Sequence, residues 1–206
     1  MPILRVSLFV LLSLLWTACT PVISTPESAL PSFSPTSPVL ATEPAITTPE
    51  PTLSPFLLTS PAFAAGAVIP ERYTCRGENV SPPLSWSNPP AGTQSLVLIM
   101  DDPDAPLGTW VHWIVYYIPA NVRALEENIQ NGHRYDDVAL AFGKNSWGEA
   151  AYSGPCPPSG THHYVFRLYA LDIVPDLTEM AERKVVEAAV QGHVLGYSEL
   201  IGIFSH

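Results

Sequence analysis

Basic residues are scarce in this chain. Nine Lys and Arg stand against 19 Asp and Glu, for a formal net charge of -10. From Phe56 onward eight basic residues face 16 acidic ones. Nucleic-acid binding rests on clustered Lys and Arg that neutralise phosphates, so this balance argues against such a partner. Any anion the protein binds must be caught by a local pocket, since the global field repels it. Cysteine is scarce too, with Cys19, Cys75 and Cys156 the three in the chain. There is no Gly-x-Ser-x-Gly turn to raise a nucleophilic serine and no His-x-x-x-His pair at metal-ligand spacing. Long apolar runs are missing as well. Val6 to Trp16, interrupted by Ser7 and Ser13, is too short for a comfortable membrane span. No internal repeat occurs.

What is present divides the chain in three. Residues 1–19 have the layout of an export signal: Arg5, an apolar stretch, then Leu15-Trp16-Thr17-Ala18-Cys19. Small residues before a cysteine resemble the lipobox of bacterial lipoproteins. That resemblance implies cleavage before Cys19, acylation there, and anchoring on the extracytoplasmic face of a bacterial membrane. Trp16 departs from the usual box. Thr20 to Pro61 is dense in Pro, Ser and Thr and carries only Glu27, Glu43 and Glu50 as charges. Such a stretch buries too little apolar surface to offset its ordering entropy. It reads as a linker over 20–55, a tether for the domain that starts at Phe56.

Residues 56–206 suit one domain with a real core. Short apolar runs recur at Phe63–Ile69, Ser95–Met100, Trp110–Ile118, Val138–Phe142 and His163–Leu171, separated by Pro- and Gly-rich turns. This spacing predicts a mainly β fold, a sandwich and not βαβ units. One helix is predicted near the C-terminus. Asp176 would cap it, Met180, Ala181, Val185, Ala188 and Ala189 would form its apolar stripe, and Gly192 would stop it.

Two stretches carry chemistry. The first is Asp101-Asp102-Pro103-Asp104-Ala105-Pro106 at the end of an apolar run, followed by Trp110-Val111-His112-Trp113. Trp110 and His112 share a strand face, so three carboxylates are expected beside a His and a Trp. The second is Gly154-Pro155-Cys156-Pro157-Pro158-Ser159-Gly160, a stiff loop, and then His162-His163-Tyr164. His162, Tyr164 and Phe166 alternate onto one strand face, and Gly154 and Gly160 let backbone approach a ligand closely. Trp86, Trp113 and Trp147 read as core or rim, and His133, His193 and His206 as surface or helix-end residues.

These stretches together resemble the phosphatidylethanolamine-binding protein family, most closely its bacterial Raf-kinase-inhibitor-like branch. The likeness takes in Tyr73-Thr74-Cys75 and Glu78-Asn79-Val80-Ser81-Pro82-Pro83-Leu84-Ser85-Trp86, and runs from about Phe56 to Phe204. It implies a β-sandwich with a few peripheral helices and a small anion pocket that takes phosphate-bearing head groups. Carried over, the pocket is Asp102, Asp104, Pro106, Trp110 and His112, closed by Gly154, Cys156, Pro158, His162 and Tyr164. His112 and His162 would donate to phosphate oxygens, and Asp102 would orient an imidazole or accept from an ammonium group. His163 stands where many relatives carry Arg; on the opposite face, it should affect packing or surface only. If Cys19 is acylated, Cys75 and Cys156 remain as an even pair, bridged or as two buried thiols.

The expected function is non-enzymatic binding of small phosphate-bearing or anionic ligands such as phosphoethanolamine, by a membrane-tethered domain, with no cofactor and no resident metal. Two rivals stand beside it. One is a protease- or kinase-inhibitor-like protein-interaction module. The other is a metal-dependent hydrolase built on a two-His, one-carboxylate set.

Overall fold

The structure is a computed structural model that describes residues 55–206. The export signal, Cys19 and nearly all of the linker lie outside the described residues. The strands are Leu57–Thr59 (β1), Leu84–Ser87 (β2), Ser95–Asp102 (β3), Trp110–Pro119 (β4), Ala124–Leu125 (β5), Arg134–Tyr135 (β6), Val138–Ala139 (β7), Ala141–Phe142 (β8) and Thr161–Leu171 (β9). A helix, Arg183–Val190 (α1), and a last strand, Val194–Ser205 (β10), complete the order. β10, β9, β3, β4 and β8 form a five-stranded antiparallel sheet. β1, β2 and β5 form a second, three-stranded sheet, and β6 pairs with β7.

The large sheet is the middle layer, and this explains its sequence. Every residue of β3 is buried. Leu96, Leu98 and Met100 join Trp113, Phe166 and Leu84 in a core between the sheets. Val97 and Ile99 turn the other way, to Tyr116, Val186 and Val190 under the helix. A strand covered on both faces reads as an unbroken apolar run, not as an alternating one. Among the described residues the fold is mainly β, with one α-helix near the C-terminus, as expected.

Two register shifts in β4 aim its side chains. Met100 pairs with Trp113 but Asp101 pairs with Val111, so His112 is an extra residue, a β-bulge. His112 and Trp113 therefore both turn toward the inter-sheet core, while Val111 and Ile114 lie under the helix. The second shift falls at Tyr116 and Tyr117, where Tyr117 has a φ of 64°. Both tyrosines reach the segment after β9: the Tyr116 hydroxyl donates to the Thr178 carbonyl at 2.7 Å and the Tyr117 hydroxyl to the Leu177 carbonyl at 2.6 Å.

That segment corrects the helix expectation. The Leu177 N–H donates to the Tyr117 hydroxyl, and the Ala181 carbonyl accepts from Lys144 N–H at 3.1 Å. With those groups committed elsewhere and Met180 at a φ of 57°, the chain turns helical only at Arg183, seven residues after Asp176. Val186 and Val190 are the buried face; Val185 and Met180 are exposed. Gly192 does follow the helix end. One further expectation changes. Phe63–Ile69 is not a strand: it runs beside β10, with Ile69 N–H on the Ile203 carbonyl and Ile203 N–H on the Ala67 carbonyl. β1, just after the start of the domain, pairs with β2 and donates from Leu58 N–H to the Ser198 hydroxyl.

Candidate ligand-binding site

The β3–β4 connection forms one lip of a pocket. Asp102 ends β3 and its Oδ1 accepts from the Asp104 N–H at 2.9 Å, which fixes the turn after the strand. β9 is the other neighbour of β3 and brings His162 to the same end. His162 Nδ1 meets Asp102 Oδ2 at 2.6 Å, with both side chains more than nine-tenths buried. A carboxylate accepts, so Nδ1 carries the proton and Nε2 is the nitrogen left for a ligand.

His112 is held in the same manner from the opposite wall. Its Nδ1 lies 2.6 Å from the Ser153 carbonyl. A carbonyl can only accept, so Nδ1 is the protonated nitrogen and Nε2 the free one. Burial pushes the imidazole below its ordinary value; the Ser153 carbonyl and the Asp102 charge offset this only in part. With Nδ1 donating to Ser153, Nε2 is the ring nitrogen left over: a lone pair on the neutral imidazole that burial favours, a donor once the ring is protonated.

Around these groups lies a pocket of about 360 Å³, lined by Asp102, Ala105, Pro106, Leu107, Trp110, His112, Trp147, Cys156, Pro158 and His162. Seven of the ten residues named from the sequence are in that lining. Asp104 is not: it turns outward and its Oδ2 accepts from the His163 N–H at 2.8 Å and meets the imidazole at 2.7 Å. The His163 imidazole holds the Asp104 carboxyl below its ordinary value. Tyr164 stands behind the pocket wall, its ring edge-on to His112 at 5.2 Å. Its hydroxyl is buried without a hydrogen-bond partner, and burial, then the Asp102 charge, push the phenol upward. Asp101 faces the other side of the sheet, where Arg167 and Arg183 pair with it. One carboxylate, Asp102, lines the pocket, not three.

Gly154 serves the scaffold. A Cβ there would collide with the Tyr73 carbonyl and lie 2.9 Å from Asn79 Oδ1. The close approach is to the chain at 73–79, not to a ligand. Gly154 N–H donates to Asn79 Oδ1 at 2.8 Å, Cys75 N–H to the Pro155 carbonyl at 3.1 Å, and the Tyr152 hydroxyl to the Tyr73 carbonyl at 2.6 Å. A disulfide between Cys75 and Cys156 joins the same two segments, which decides the open question of the pair. Gly160, with a φ of 70° and open space around it, makes the turn into β9.

Trp147, expected in core or rim, stands in the pocket wall. It is half exposed, at 5.1 Å from the His112 ring and 5.5 Å from Trp110. Its loop is built on buried Asn145, whose Oδ1 accepts from the N–H groups of Trp147 and Glu149, both at 3.0 Å. Asn145 Nδ2 donates to the Ala151 carbonyl and the Ser153 hydroxyl. No spacing signal marks these two residues; they reach the site through a loop. Among the described residues, no group of three His, Cys, Asp or Glu converges to hold a metal.

The family model described as phosphatidylethanolamine-binding protein matches residues 59–205. The chain belongs to the phosphatidylethanolamine-binding protein family. Among its relatives, the UPF0098 protein of Methanothermobacter thermautotrophicus is 52% identical over 136 residues, 66% of this chain and 89% of that one. The UPF0098 protein PH1269 of Pyrococcus horikoshii is 42% identical over 144 residues, 69% of this chain and 73% of its own. Two crystal structures share the fold. The Chlamydia trachomatis phosphatidylethanolamine-binding protein homolog CT736 is 39% identical, with a TM-score of 0.68 over 74% of this chain and 98% of that one. YbcL of E. coli, a member of the same family, is 30% identical, with a TM-score of 0.66 over 74% and 99%.

Proposed function

We propose that this domain binds small phosphate-bearing ligands, head-group phosphomonoesters such as phosphoethanolamine among them, and releases them unchanged. A lipid at Cys19 and the linker would hold it at the extracytoplasmic face of a membrane. The observation that carries the reading is the paired histidines. His112 and His162 come from different strands, each has Nδ1 fixed by an acceptor, and each leaves Nε2 for the one pocket.

The protonation of the two rings shapes the ligand. Neutral His112 accepts, so a phosphate oxygen that still bears hydrogen fits it. His162 accepts when neutral and donates when protonated. A singly protonated phosphomonoester supplies one OH for His112 and unprotonated oxygens for His162. Asp102 makes a poor neighbour for a dianion, which again favours the monoanion.

Calorimetric titration of the purified chain with phosphoethanolamine tests this. The expected result is measurable binding that falls by about tenfold or more in His112→Ala and in His162→Ala, the scale of a lost hydrogen bond to a charged group. Phosphorus NMR of the same mixtures should show the ligand intact. Wild-type affinity in both variants sinks the reading; released phosphate revives the hydrolase.

A further inference from the structure

The disulfide stands in a wall of the pocket, and the anion reading makes no use of it. Cys156 lines the pocket with His112 and His162, whereas Cys75 is not part of the lining. A reactant entering through the pocket therefore meets Cys156 first, with Cys75 behind it across the sulfur–sulfur bond. Both cysteines are exposed, although Pro155 and Pro157 on either side of Cys156 are buried. Exposed disulfides are the ones that exchange with free thiols, since exchange requires a thiolate to reach one of the two sulfurs.

Such an exchange is helped by a base, because the thiolate and not the thiol attacks. The pocket holds one already oriented. His162 gives its Nδ1–H to Asp102 at 2.6 Å, and its Nε2 is left for the pocket. A carboxylate behind an imidazole fixes the ring and stabilises the imidazolium that forms when Nε2 takes a proton. The two chain segments that carry the disulfide are also tied independently of it. Gly154 N–H donates to Asn79 Oδ1, Cys75 N–H to the Pro155 carbonyl, and the Tyr152 hydroxyl to the Tyr73 carbonyl. With these three hydrogen bonds in place, opening the disulfide keeps the two cysteines neighbours.

We propose that Cys156 is a site of reversible thiol–disulfide exchange with small monothiols, and that His162 is the base that activates the incoming thiol. The S–H proton passes to His162 Nε2, and the thiolate sulfur bonds to Cys156 Sγ. The bond between Cys75 and Cys156 breaks, and Cys75 leaves as a thiolate that recovers the proton through water. The incoming thiol is thus oxidised to a mixed disulfide while Cys75 is reduced to a thiol, and no other electron donor or acceptor takes part. In the reverse step Cys75, held nearby, attacks Cys156 Sγ, expels the small thiol and restores the original bond. A pocket of about 360 Å³ has room for a low-molecular-weight thiol but not for a folded protein.

The test exposes the purified full chain briefly to mercaptoethanol, an uncharged probe whose reaction does not depend on phosphate binding. The reaction is stopped with acid, free thiols are capped with a maleimide, and peptide mass mapping locates the mercaptoethanol on Cys75 or Cys156, apart from Cys19. In the folded chain the adduct should lie on Cys156, with the maleimide on Cys75, at least about tenfold more often than the reverse; in urea, where the pocket no longer selects the sulfur, the two should be about equal. His162→Asn keeps an N–H toward Asp102 and removes the base. It should slow adduct formation in the folded chain by about a hundredfold, the low end for a positioned base. Mere loosening of the fold would expose the disulfide and speed the reaction, so a structural role for His162 gives the opposite sign. Equal labelling of the two sulfurs in the folded wild-type chain, or an undiminished rate in His162→Asn, overturns the proposal.

Discussion

At the scale of single residues, His112 carries the most testable physics. Its imidazole is 2% exposed and burial holds its proton affinity down. The unfolded chain takes up a proton below about pH 6.5, where the folded chain still resists it. Stability therefore rises with pH across this window and falls as pH drops through it toward the depressed folded value. Urea unfolding over a pH series should show that slope, and His112→Asn, which keeps a donor toward Ser153, should flatten it. Tyr164 behaves differently. Its hydroxyl already lacks a partner, so Tyr164→Phe should change stability by no more than about 1 kcal/mol, in either direction, on thermal unfolding. The sequence names both residues but cannot orient them. Alternation puts Trp110 and His112 on one face, and it cannot show that a bulge adds Trp113 to it, or that a carbonyl 41 residues away selects the ring tautomer.

Among the elements, the strands are the legible part. Ser95–Met100, Trp110–Ile118 and His163–Leu171 are apolar enough to be seen without partners, and they become β3, β4 and β9. β2 and β10 are hidden: Leu84–Ser87 sits among prolines, and Gly196 and Gly202 dilute the pattern of β10. The helix starts later than its capping pattern predicts because tyrosine hydroxyls on β4 bind the preceding backbone, a tertiary effect no local pattern carries. Asp101 shows the same limit. As part of an acidic corner it looks functional, yet it is fully buried opposite the pocket and ties β3 to Arg167 of β9 and Arg183 of α1. Removing one partner of a buried charge set leaves the rest uncompensated. Asp101→Ala should lower the unfolding free energy by about 3 to 5 kcal/mol in denaturant titration; a loss under about 1 kcal/mol would show that the two arginines find water instead.

For the whole molecule, the disulfide is the long-range tie. Cys75 and Cys156 are separated by 81 residues with Cα atoms 5.5 Å apart. By the chain-entropy account, a loop of that size stabilises by about 4 to 5 kcal/mol. The double variant Cys75→Ser, Cys156→Ser should lose most of that in urea unfolding, and reductant should then have no further effect on it. The proposed placement at a membrane belongs to this scale too. Cys19→Ser should move the protein from the membrane pellet to the soluble envelope fraction, and unchanged pelleting would remove the lipid from the account.

The central claim is that two imidazoles, each fixed through Nδ1, present Nε2 to one phosphate. Nitrogen-15 NMR of labelled histidine, with and without saturating phosphoethanolamine, tests it most directly. The account predicts that the Nε2 resonances of His112 and His162 move on binding while both Nδ1 resonances stay in place, His112 keeping its Nδ1–H tautomer. Binding that leaves the Nε2 signals of both residues unmoved would contradict it.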